Sequence, residues 1–181
     1  HCLAVELDKW VLNQTFKYMK EEGIKDHYCI NLSGLSLADE SMTQFVKSTL
    51  DTHNIDPKQI TLEITETYAI THLKTATTFI NELTRLGCNF ALDDFGSGLS
   101  SFSYLQKLPV SKLKIDGVFI KDIANSPRNQ TFVKTMVALA QSMEMETVAE
   151  FVETEEESKI LVELGIDYCQ GYYFHKPEPW H

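Results

Sequence analysis

The chain has 181 residues, of which 43% are hydrophobic and 23% charged, a composition that supports a globular domain with a buried core and excludes disordered and collagen-like classes. Its formal net charge of −10 provides no basic field to hold a nucleic-acid polymer, so an anionic substrate would need positive charge from bound metal. The longest apolar stretches, such as 132–139, fall far short of the roughly 20 residues of a membrane span, and no membrane contact is expected of this segment.

In chain order, Leu3, Leu7, Trp10, Val11, Gln14 and Tyr18 recur at helical spacing with Gly23 beyond them, predicting an amphipathic helix. The pattern is already helical at His1, without an initiator Met, as expected of a piece cut from a longer protein. A strand over 28–32 follows, then a helix over 41–52, a strand over 60–65 and a helix over 73–86 stopped by Gly87. Next come a strand over 89–93, a short helix over 100–107 and, after Pro109, a strand over 112–116. A helix over 131–143, a strand over 146–150, a helix over 154–164 before Gly165 and a strand over 168–174 complete the chain. Cys2, Cys29, Cys88 and Cys169 are widely spaced, and three lie in apolar runs, so buried thiols in a reducing, cytoplasmic compartment are expected.

Six apolar strands with little alternation, each joined to the next through a helix, predict a parallel α/β architecture with both sheet faces covered. At about 30 residues per unit, against roughly 250 for a closed barrel, the count fits a TIM-like (β/α)8 barrel with about six of its eight βα units present. The expectation is a single domain over 1–181 that lacks its N-terminal strands. An open doubly wound sheet is the competing architecture, but no G-x-G-x-x-G turn follows the first strand.

Polar side chains gather at the predicted C-terminal strand ends: Asn31, Glu63 with Glu66, Asp93 with Asp94, Lys114 with Asp116, Glu150 with Glu153, and Gln170. In a barrel these ends form one rim, where such enzymes place their sites. Helix capping explains one such acid readily, but less easily six strand ends in succession. Glu63 stands inside an apolar run and needs a counter-charge there. The adjacent Asp93 and Asp94 repel unless cations lie beside them, and paired hard oxygen ligands suit Mg²⁺ or Mn²⁺. No H-x-H, H-E-x-x-H or His-Asp pattern occurs, which argues against zinc and His-Asp hydrolases. Lys114, amid carboxylates, is either an ion-pair partner or a group that holds a nucleophilic water or acts on its proton. The turn Phe95-Gly-Ser-Gly98 is weak evidence for phosphate binding, with turn geometry the default.

The stretches Ile60-TLEITE-Thr67, Ala91-LDDFGSGLSSFSYL, Leu113-KIDGVFI, Val148-AEFVET and Cys169-QGYYFHKP resemble, in order and spacing, the motifs of the EAL family of cyclic di-GMP phosphodiesterases. The resemblance implies a (β/α)8-like barrel that hydrolyses cyclic di-GMP to linear pGpG with two Mg²⁺ or Mn²⁺ ions, as a homodimer when intact. It implies metal-ligand roles for Asn31, Glu63, Asp93, Asp94 and Glu150, and a water-activating role for Lys114. Glu153 is implied to support catalysis, Gln170 the substrate, and Glu66 the loop after the Asp pair, which runs from Asp94 to Ser101. An upstream cyclase-like or sensory domain is a further partner to expect.

The chain departs from the family at several points. The Glu-Ala-Leu segment, whose Glu is a metal ligand, and the Arg that usually follows it are absent from these residues, so the piece alone is expected to bind metal poorly and turn over little. An unclosed barrel is also expected to expose strand edges that invite pairing with another copy. Phe151 replaces a common Gly, Ser97 a more frequent Thr, and Leu99 fills a variable position; as none removes a ligand, they read as tuning. Two rivals stand beside the phosphodiesterase: an inactive cyclic di-GMP receptor or protein-interaction module of the same fold, and an enolase-like lyase using Lys112-x-Lys114.

Overall fold

The expected N-terminal helix is α1 (Cys2–Glu21) in a computed structural model that describes residues 2–97 and 102–179. Its buried face differs from the expected one. Val5, Leu12, Phe16 and Met19 enter the core, whereas Leu3, Leu7 and Trp10 are 81%, 55% and 61% exposed. Both sets recur at helical spacing, and apolar residues around most of the circumference leave periodicity unable to choose between them.

After α1 come β1 (Tyr28–Asn31), a short α2 (Gly34–Leu37) and α3 (Met42–His53), the last ending at Asn54 in the left-handed conformation. Strand β2 (Ile60–Thr65) and helix α5 (Leu73–Leu86) have the predicted bounds, with α4 (Glu66–Thr71) between them. Gly87 stops α5 at φ 110, where a side chain would be strained. Strand β3 (Asn89–Phe95) runs two residues further than expected because Phe95 is fully buried and carries the chain past the Asp pair. A 3₁₀ turn spans Phe102–Lys107, and the expected helix start at Ser100 lies outside the described residues, as does the loop segment 98–101.

Strand β4 (Lys112–Ile115) stops one residue early because Asp116 caps α6 (Gly117–Ile120), its carboxylate accepting from the Val118 N–H. Helix α7 (Pro127–Ser142) begins four residues before its expected start: Pro127 occupies the first turn and the Ser126 hydroxyl caps Asn129 N–H. After β5 (Glu146–Ala149), α8 (Glu155–Glu163) opens on a capping box between Thr154 and Glu157. Strand β6 is only Tyr168–Cys169, shorter than the expected 168–174, because the backbone turns at Gly171 and Tyr173 N–H bonds back to Val152 O.

The strands follow one another in the sheet in the order β1-β2-β3-β4-β5-β6, and the pairs β1–β2, β4–β5 and β5–β6 are parallel. A doubly wound sheet reverses its strand order at a switch point, and this order has no reversal. Sequential parallel strands with intervening helices are the βα repeat of a TIM-type barrel fold.

The chain divides into two compact units, one of residues 1–91 and 101–110 and the other of 92–100 and 111–181. In the first, Ile60, Leu62 and Ile64 of β2 share a core with Ile80 and Leu83 of α5, and Phe79 meets Phe90 edge-on at 6.1 Å. In the second, Leu113 and Ile115 of β4 pack with Val133, Val137 and Ala140 of α7 and Ala149 of β5. Cys88 is buried as expected, and burial pushes its thiol up to about 11. Cys29, by contrast, is exposed, because β1 begins the strand order and, among the described residues, pairs only with β2, and Cys169 is half-buried. No described helix is long and apolar enough to cross a membrane.

Candidate active site

In the second unit three carboxylates converge. Oxygen atoms of Asp93, Asp94 and Glu150 lie within 4.8 Å of one another. Asp93 and Asp94 are adjacent in β3, yet both reach this cluster because Asp94 takes φ 55 and departs from strand alternation. Glu150 follows the last residue of β5, and its N–H is held by Ile115 O of β4 at 3.3 Å.

Lys114 enters the cluster from β4. Its Nζ lies 3.1 Å from Asp93 Oδ1 and 2.9 Å from Glu150 Oε1, and the residue is 4% exposed. Lys112, two residues earlier, pairs instead with Glu146 at 3.0 Å and lies over the Tyr168 ring, so it does not join the site. Burial pushes the Glu150 carboxyl up to about 7; the Lys114 ammonium opposes this rise and the nearby Asp93 charge adds to it. The cluster therefore has more carboxylate than its single ammonium balances. Hard oxygen donors packed this closely, with surplus negative charge, fit a divalent cation.

Glu153 and Gln170 are exposed and line a cavity of about 530 Å³ together with Glu150, where His175 and Lys176 also contribute. Gln170 is placed by two sheet hydrogen bonds, its N–H to Ala149 O at 2.8 Å and its carbonyl from Val152 N–H at 3.0 Å.

In the first unit, Asn31 of β1 stands opposite Glu63 of β2 in register, so the two share a sheet face at the C-terminal part of their strands. Glu63 is 5% exposed, as its place inside an apolar run predicted, while Asn31 is exposed. Glu66, 3% exposed, opens α4 and accepts a hydrogen bond from the Tyr104 hydroxyl, whose pKa is raised by burial and by that carboxylate. Tyr104 sits in the 3₁₀ turn 102–107. Its part was missed in the sequence, although it lies within the quoted motif around the Asp pair. A further cavity of about 540 Å³ in this unit, lined by Asp39, Glu40, Lys74 and Glu82 among others, includes none of the strand-end residues.

The model of the EAL domain family matches residues 1–177. Cyclic di-GMP phosphodiesterase PdeB of Shewanella oneidensis is 39% identical over 180 residues, 98% of this chain and 21% of that protein. Cyclic di-GMP phosphodiesterase PdeF of Escherichia coli is 37% identical over 98% of this chain and 24% of its own length. The chain thus spans about a fifth to a quarter of these two curated relatives. A solved structure described as PaMucR phosphodiesterase in complex with c-di-GMP superposes with a TM-score of 0.92 at 33% identity, over 98% of this chain and 73% of that one. BlrP1 of Klebsiella pneumoniae, in a complex with calcium and cyclic di-GMP, superposes with a TM-score of 0.89 at 30% identity, over 96% of this chain and 44% of that one.

Proposed function

The chain belongs to the EAL domain family, and we propose that it forms the catalytic part of a phosphodiesterase that opens cyclic di-GMP to the linear dinucleotide pGpG. The observation that carries this reading is the buried Lys114 ammonium held between Asp93 and Glu150, with Asp94 completing the carboxylate cluster. An ion pair serving stability alone needs one partner, whereas this lysine is shared by two acids at the end of three successive strands.

Asp93, Asp94 and Glu150 would hold divalent cations, Mg²⁺ or Mn²⁺ by the hardness of their oxygens. Asn31 and Glu63 are further ligands, a role supported by their match to the family pattern and their shared strand register. When bound, two such cations supply a lowered water pKa and neutralise charge on the phosphoryl oxygens. Lys114, already donating to Asp93 and Glu150, would donate to the oxygen of the attacking water and so position it. Water oxygen adds to phosphorus, the bond from phosphorus to the 3′ oxygen breaks, and the 3′ oxygen takes a proton. Glu153, in the wall of the cavity that Glu150 and Gln170 also line, would take the proton the water loses and return it to the 3′ oxygen, and Gln170 would contact the substrate. Glu66 would anchor the 3₁₀ turn 102–107 through Tyr104, a role supported by its match to the family pattern.

The test is incubation of the protein with cyclic di-GMP and Mg²⁺ or Mn²⁺, with chromatographic identification of product, beside calorimetric titration of the ligand. Linear pGpG formed only with a divalent cation is the expected result. Binding without cleavage by the full-length protein that carries this segment would replace the enzyme with a receptor.

A further inference from the structure

Phe151 follows the cluster residue Glu150 and adopts φ 55, a left-handed conformation that crowds a bulky side chain. Such strain persists where surrounding structure over-determines it, and it gathers at active sites and ligand clamps. Here the strained residue is 65% exposed. The ring is nevertheless held in place. It lies against Gly117, where even a β-carbon would come 2.4 Å from Phe151 Cδ2. The same ring lines the 530 Å³ cavity containing Glu150, Glu153 and Gln170 and, on another side, a cavity of about 330 Å³ bordered by Asp116 and Lys121. An aromatic ring fixed on a strained backbone, open to a cavity and one residue from a carboxylate cluster, has a surface suited to a planar ligand group.

We propose that Phe151 is a base-stacking residue whose ring receives a guanine base of the cyclic dinucleotide while a phosphodiester lies at the Asp93, Asp94 and Glu150 carboxylates. The proposal rests on the phosphodiesterase reading above. Stacking of a base on an aromatic side chain requires a π face and is lost with an aliphatic one of similar bulk. Phe151 is thereby a binding determinant that a glycine at this position cannot supply.

Equilibrium titration of cyclic di-GMP in Ca²⁺ and steady-state kinetics in Mg²⁺, both on the full-length protein carrying these residues, test this with Phe151→Gly, Phe151→Leu and Phe151→Trp. The Gly and Leu variants are expected to bind at least about five-fold more weakly, with KM rising more than kcat falls, while Trp stays within about two-fold of the parent. The Gly variant removes the left-handed strain, so it is expected to melt no lower than the parent, which separates lost stacking from lost folding. Binding by both Gly and Leu variants within about two-fold of the parent, or a Trp variant as weak as Leu, overturns the stacking role and leaves the phosphodiesterase reading standing. A folded parent that binds no cyclic di-GMP overturns both.

Discussion

Lys114 is where the ion-pair role seen in the structure and the proposed role in chemistry can be separated. Removing it as Lys114→Met leaves the buried carboxylates of Asp93 and Glu150 without their ammonium, a loss of about 3–5 kcal/mol for a broken buried pair. Urea denaturation in chelator measures this cost. Added Mg²⁺ restores part of the stability by replacing the lost charge, but turnover stays down by roughly 10²- to 10⁴-fold if the lysine also handles the water. Recovery of turnover along with stability would reduce Lys114 to an ion-pair partner. Glu150 adds a pH dependence of definite sign. Its carboxyl is raised in the fold from 4.5 to about 7, so between those values the native state holds a proton that the unfolded chain has lost. Its contribution to stability is therefore fully present below about pH 4.5 and is lost as pH rises through about 7. Without metal, urea midpoints are expected to fall between pH 5.5 and 8.5 more steeply for the parent than for Glu150→Gln, and a divalent cation flattens the difference by favouring the ionised carboxylate.

Among the elements, the short β6 and the turn after it place Gln170, and Gly171 is the position that permits it. A β-carbon there would lie 2.2 Å from Val152 O and 2.3 Å from Val152 N, both backbone atoms that cannot swing aside. Gly171→Ala is expected to cost about 1–3 kcal/mol as overpacking and to weaken ligand binding by displacing Gln170, read from thermal melts and a titration with cyclic di-GMP. Tyr104→Phe acts in the first unit: it strips a donor from the buried Glu66 carboxylate, with an expected loss of about 1–3 kcal/mol in urea denaturation. How far such elements were legible depended on the local signals. Strand 60–65 and helix 73–86 were readable to the residue, because an unbroken apolar run and a terminal glycine mark their ends. Apolar periodicity does not mark the start of α7, which is set by Ser126 and Pro127, a cap and a first-turn proline. The strand-like composition of Tyr172, Tyr173 and Phe174 extends the expected strand to 174, while the close approach of Gly171 to Val152 that ends it is a tertiary fact. Strand-end spacing located the Asp93, Asp94, Lys114 and Glu150 cluster. The left-handed conformations of Asp94 and Phe151, which set where their side chains go, have no counterpart in periodicity.

At the scale of the whole chain, charge decides how a dianionic ligand approaches. The net charge is −10, and the candidate site concentrates carboxylates rather than diluting them. The field over the site is therefore repulsive to cyclic di-GMP until cations neutralise it. In chelator, affinity for the dinucleotide is expected to be low and to strengthen as monovalent salt rises, because salt screens the repulsion. That sign is opposite to the salt dependence of a basic phosphate-binding surface, which weakens through counterion release. With Mg²⁺ or Mn²⁺ present, binding is expected to tighten and the metal itself to raise stability, by about 2.7 kcal/mol at a hundred-fold excess over its Kd. Titrations across a salt series, with and without divalent cation, separate the two cases. Tight binding in chelator that fades with salt would mean that basic side chains, not carboxylate-held metal, receive the phosphates.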